Sequence, residues 1–115
     1  ASNAPGTELA EAALVIAPDH LNARNNLGNI HLRRRELGPA IAAYQEVLRR
    51  DPGYARAHHN LGNAYLLAGE EARAVAAFEK AVVADPDYRK ARQMLAQLYR
   101  QQGRIAEAEA QEAAQ

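Results

Sequence analysis

Three prolines, Pro18, Pro52 and Pro86, stand 34 residues apart, and this spacing constrains the fold more than any other feature of the chain. The words around them match: Ala17-Pro18-Asp19, Asp51-Pro52-Gly53-Tyr54 and Asp85-Pro86-Asp87-Tyr88, each closing an apolar stretch. Proline has no N–H to donate and pushes its predecessor out of the α region, so each word predicts the end of a helix. Shifting the sequence by the same interval lays Asn26-Leu27-Gly28-Asn29 on Asn60-Leu61-Gly62-Asn63, Ala40 on Ala74 and Tyr44 on Phe78. A third copy starts at Arg89 and keeps Leu95, Ala96 and Tyr99 in the matching places. Self-similarity at this period predicts stacked helical pairs, each covering the apolar face of the next.

Composition points the same way. Hydrophobic residues make up 48% of the chain but aromatics only 5%, and alanine, the best helix former, supplies much of the remainder. Helices are expected near 7–17, 21–35, 39–50, 55–68, 71–84, 89–102 and 105–114, seven in all. Pro39 sits where a first turn tolerates proline, and Gly69 and Gly103 follow helices as capping glycines do. Gly28 and Gly62 fall inside helices at a cost of about 1 kcal/mol each against alanine, so close approach of the paired helix is expected there. Ser2-Asn3-Ala4 looks like the remnant of a removed tag, and residues 1–6 are expected to be disordered. No run approaches the roughly 18 apolar residues of a membrane span, which implies a soluble chain, with the cytoplasm favoured over the periplasm. The chain has no cysteine, which excludes disulfides and thiolate metal sites.

The residues of the repeat resemble those of the tetratricopeptide repeat family. In 55–88, Leu61, Gly62, Tyr65, Ala74, Phe78, Ala81 and Pro86 occupy marked positions of that family, while His58 stands where it has its first aromatic. In 21–54 the matches are Leu27, Gly28, Ala40, Tyr44 and Pro52, with His31 and Val47 in place of the usual Tyr and Ala. Residues 89–115 form a shortened copy with Leu95, Tyr99 and Ala108, and 7–20 read as the second helix of a preceding one. The resemblance implies an all-α, right-handed superhelix of antiparallel helix pairs whose first helices line a concave groove.

Catalytic patterns are missing from the sequence. There is no phosphate-binding glycine loop, and the one serine lies in the presumed tag remnant. The histidines, His20, His31, His58 and His59, offer no i,i+4 pair, so neither a metal nor another cofactor is expected. Charge is segregated behind a net charge of zero: segments 21–35, 55–68 and 89–102 hold no Asp or Glu but eight Arg and one Lys. Arg33 to Arg35 and Arg100 fall in last turns, where cations favour the helix terminus, and Arg24 and Arg92 stand where the family packs on a neighbouring helix. Arg56 and Lys90 remain as groove cations. Amides form the second constellation, with Asn22, Asn25, Asn26 and Asn29 on one helix, His59, Asn60 and Asn63 on the next, and Gln93 and Gln97 on the third. An amide donates and accepts at once, which suits an extended peptide backbone.

Two uses of the family can be set beside these residues. Members that clamp a C-terminal carboxylate place a Lys or Arg, two Asn, a Lys and an Arg where Asn25, Asn29, Asn60, Lys90 and Met94 stand here, so the first and last differ. The superhelical arms of O-linked N-acetylglucosamine transferases are similar in carrying Asn at the places of Asn26 and Asn60, with Met94 breaking the series. The implied function is a non-enzymatic scaffold that binds a protein or peptide, acidic or bearing a free carboxylate, in the groove. Two alternatives are self-association through the end helices and service as the substrate-recruiting arm of a larger enzyme such as a glycosyltransferase. Balanced charge without a basic, aromatic-interleaved patch argues against nucleic acid.

Overall fold

A computed structural model describes residues 20–114. The expected helix over 7–17 and the presumed tag remnant lie outside the described residues. Six helices follow, with no strand among the described residues: α1 Leu21–Arg33, α2 Leu37–Arg50, α3 Ala55–Leu67, α4 Glu71–Ala84, α5 Arg89–Gln101 and α6 Ile105–Ala113. Helices α1 and α2, α3 and α4, and α5 and α6 pack as successive pairs, and α2 packs on α3 and α4 on α5. The radius of gyration is 15.0 Å. A rounded domain of about 100 residues has one near 13 Å, so the stack is elongated, as a solenoid is.

The core follows the stack. One buried cluster joins Ala40 and Tyr44 of α2 to Leu61, Ala64 and Ala77. A second joins Ala74, Val75 and Phe78 of α4 to Leu95, Leu98, Tyr99 and Ala108. Each cluster spans the junction between two pairs, so no pair buries its apolar surface alone. The mid-helix glycines sit where the pairs cross most closely. A Cβ on Gly28 would lie 2.5 Å from Cε1 of Tyr44, and one on Gly62 would lie 2.7 Å from Cε1 and Cζ of Phe78. Both rings are fully buried, which accounts for glycine despite its helix cost.

The first helix of each pair ends in the same way. Arg35 N donates to Leu32 O and Glu36 N to His31 O; Gly69 and Glu70, and then Gly103 and Arg104, repeat these two bonds one and two periods on. This is the Schellman arrangement, which satisfies carbonyls left over at a helix end and puts one residue in the left-handed region. Gly69 and Gly103 take it with φ of 77° and 76°, and Arg35 takes it with φ of 62°. The sequence places Arg34 and Arg35 in the last helical turn; the helix in fact closes at Arg33 because the chain reverses hand at Arg35. Helix α2 begins at Leu37, two residues before the expected start, and leaves Pro39 third in the helix. Its missing N–H costs nothing there, since the first four amides of a helix have no intrahelical acceptor.

The proline words also have an inner structure. Gly53 N donates to Asp51 Oδ1 and Asp87 N to Asp85 Oδ1, closing a turn at each word. The next helix then reaches back. His58 Nε2 donates to Pro52 O at 2.7 Å, and Arg92 Nε to Pro86 O at 2.5 Å. The residue in the family's aromatic position therefore clips the pair to the turn before it, which is why His and Arg serve where an aromatic ring is usual.

Candidate functional site

The two helix sets are spaced differently. Helices α1 and α3 touch, while α2 and α4 are held apart by a cleft of about 730 Å³ lined by both. Over the first two pairs the stack is therefore closer along α1 and α3, which carry Asn and Arg of the amide constellation, than along α2 and α4.

The structure divides the sequence-predicted residues into two layers. In the lower layer, Asn25 is only 2% exposed, and its Oδ1 accepts from Asn60 Nδ2 at 3.2 Å. His59 is also buried, with its ring stacked on Tyr88 at 5.0 Å and tilted against Phe78 at 5.3 Å. Burial, and then the charge of Lys90, holds the His59 pKa below its ordinary 6.5, and its Nδ1 has no hydrogen-bond partner. Burial thus assigns Asn25 and His59 to the packing between successive helices. The first junction is polar, Asn25 to Asn60; one period on, the same places hold His59 and Met94, and the contact becomes aromatic stacking of His59 on Tyr88.

The upper layer is open. Asn22, Asn26, Arg56, Lys90, Gln93 and Gln97 are exposed, and Asn29, Asn60 and Asn63 are partly so. Some of it is already engaged. Asn22 Oδ1 accepts from Arg56 Nη2 at 2.6 Å and from the Tyr54 hydroxyl, and Arg56 also donates to that hydroxyl at 2.7 Å. Asn29 Oδ1 accepts from the Tyr44 hydroxyl at 2.7 Å, which ties α1 to α2. Asn26, Asn63, Gln93 and Gln97 make no side-chain hydrogen bond among the described residues, and Lys90 makes no ion pair there. Tyr54 and Tyr88 belong to this face and were not singled out from the sequence. Their place at the end of each proline word was the available signal.

Electrostatically the inner helices contribute cations only, and no acid stands in the first turn of α1, α3 or α5. The acids answer from the other helices. Glu112 on α6 pairs with Arg100 at 2.6 Å, and Glu46 on α2 feels the charges of Arg49 and Arg24. Among the described residues no helix is long and apolar enough to cross a membrane, and no group of three acidic or histidine side chains could hold a metal.

Tetratricopeptide repeat sequence models match residues 7–55, 26–89 and 68–111. The chain belongs to the tetratricopeptide repeat family. As a tetratricopeptide repeat protein it is a helical solenoid of the protein-interaction kind. Among solved structures it is similar to MamA, at 27% identity and a TM-score of 0.82, over 94% of this chain and 63% of that one. MamA 41-end from Desulfovibrio magneticus RS-1 is similar in fold, with a TM-score of 0.77 at 24% identity, over 93% of this chain and 60% of that one. The O-GlcNAc transferase of Thermobaculum terrenum, as a K341M mutant, is 30% identical with a TM-score of 0.76, over 81% of this chain but 18% of the transferase. The chain thus spans about three fifths of the MamA structures it matches. A comparison with curated proteins returned no match.

Proposed function

We propose that the inner face of α1, α3 and α5 grips an extended peptide that is acidic or carries a free carboxylate. The observation that carries this reading is a run of exposed or partly exposed amides, Asn26, Asn63, Gln93 and Gln97, that have no side-chain hydrogen bond among the described residues and lie on helices that hold cations and no acids. Amides of this kind match peptide N–H and C=O groups in alternation. Lys90 and Arg56 supply attraction over distance and favour an acidic ligand over a basic one. Asn25 and His59 act from below, Asn25 by orienting Asn60 and His59 by seating the turn that carries Tyr88 beside Lys90.

Each neutral hydrogen bond adds about 0.5–1.5 kcal/mol net, so a groove this short binds at micromolar strength. Fluorescence anisotropy with an acidic and a basic labelled peptide, each over a salt series, tests the reading. The acidic peptide should bind more tightly and lose affinity as salt rises, and Lys90→Glu should abolish the preference. Equal, salt-indifferent binding of both peptides overturns the electrostatic part.

A further inference from the structure

The outer side of the stack holds a second feature, which the inner groove does not explain. Where α2 and α4 splay apart, the cleft of about 730 Å³ has a floor of Leu48, Leu61 and Ala77 and opens to solvent between the two helices. That volume is in the range of pockets that seat a ligand or an anchoring side chain. Its charged lining residues are all cationic: Arg49 from α2, and Arg73 and Lys80 from α4. The Arg49 and Arg73 side chains are 69% and 68% exposed, and among the described residues their ion pairs, to Glu46 and Glu70, are contacts within one helix turn or at its cap. Such pairs are worth little and exchange readily for another carboxylate. Lys80 has no ion pair among the described residues. Glu79, the nearest acid in sequence, is turned away and accepts from the Tyr99 hydroxyl.

An independent observation lies in the same wall. His58 lines the cleft and is 8% exposed, and its Nδ1 is buried with no hydrogen-bond partner while Nε2 donates to Pro52 O. With the proton on Nε2, Nδ1 is left as a lone-pair acceptor in a site where polar atoms are normally paired.

We infer that this outer cleft is a second docking site, for a peptide segment with an apolar side chain flanked by Asp or Glu. The apolar side chain seats over Leu48, Leu61 and Ala77 beside the His58 ring, and the flanking carboxylates reach Lys80 and Arg49. Complementarity of charge selects the partner: a cationic rim around an apolar floor repels basic segments and leaves a purely polar acidic one without an anchor. The protein then holds two acidic segments on opposite sides of one stack. This site stands on its own residues and does not depend on the inner groove.

The test uses a short fluorescein-labelled peptide of alternating Leu and Glu, titrated into ¹⁵N-labelled protein carrying Lys90→Glu, which removes the inner groove's preference for acidic peptides and leaves the position of the amide shifts to tell the two faces apart. Amide shifts should cluster at Leu48, Ala76 and Lys80. Lys80→Glu and Ala76→Tyr, both at exposed positions, should each weaken binding about tenfold with the melting temperature unchanged. An all-Glu peptide and an alternating Leu and Lys peptide should bind more weakly than the Leu and Glu probe. Absence of binding, shifts confined to α1 and α5, or unchanged affinity in both cleft variants overturns the proposal. Loss of the salt-dependent preference in the protein without the Lys90 substitution is a separate result, and bears only on the inner groove.

Discussion

Gly62→Ala isolates what holds one helix pair together. In an unconstrained helix the change adds about 1 kcal/mol of stability, because alanine has the higher helix propensity. Here the new Cβ meets Phe78 at 2.7, 2.7 and 2.9 Å from three ring carbons, well inside ordinary contact. Phe78 is fully buried and backed by the His59 ring at 5.3 Å, so it cannot swing clear without moving the next junction. Overpacking of this kind costs about 1–3 kcal/mol, which exceeds the propensity gain and leaves a net loss of about 1 kcal/mol. For a domain near 100 residues that lowers Tm by about 4–8 °C. The chain contains its own control. One period on, Ala96 replaces the glycine and Glu112 replaces the ring, with Glu112 turned to Arg100 instead. Ala96→Gly therefore relieves nothing and should cost about 1 kcal/mol by propensity alone. Thermal and urea denaturation of both variants, with Gly62→Ala repeated in a Phe78→Leu background, completes the comparison. If Gly62→Ala stabilises the chain with Phe78 in place, or shows the same effect in both backgrounds, the account of ring over glycine is wrong.

Arg35→Gly should stabilise the protein by about 0.5–1 kcal/mol, because the left-handed backbone that costs an L-residue about 1–2 kcal/mol is free to glycine, less glycine's greater chain entropy; urea midpoints should show it, and a loss of stability would refute it. Stability should also fall as pH drops through the His59 range. The folded pKa of His59 is lowered from 6.5, so below 6.5 the unfolded chain takes up the proton first and gains on the folded one; above 6.5 the contribution is complete. His59→Phe should flatten that part of a Tm-against-pH curve, and an unchanged slope would refute the assignment.

Much of the fold was legible because the repeat speaks through backbone rules. Pro52, Pro86, Gly69 and Gly103 mark ends by what they cannot or can adopt, and the helices α3, α4, α5 and α6 begin where these residues place them. Gly28 and Gly62 announced a close crossing because only packing offsets their cost. Arg35 was missed, although shifting it by one period lands on Gly69, because arginine gives no sign of a left-handed φ by itself. At the inner face, period and polarity identified the helices but not the depth of each side chain: Asn25 and Asn26 are neighbours in sequence, yet one is buried and the other exposed. The bond of Tyr54 to Asn22 joins residues 32 apart, off the repeat interval, and no pattern in one sequence marks it. The outer cleft draws its lining from three helices and a turn, so it exists only once they are assembled.

The bonds from His58 to Pro52 O and from Arg92 to Pro86 O each span six residues of chain. A junction that closes over so short a distance can be made while the polypeptide is still growing, as soon as the first turn of the next helix has emerged. Contacts of this kind keep the loop-closure cost low, so one pair can hand order to its neighbour without waiting for the far end of the stack.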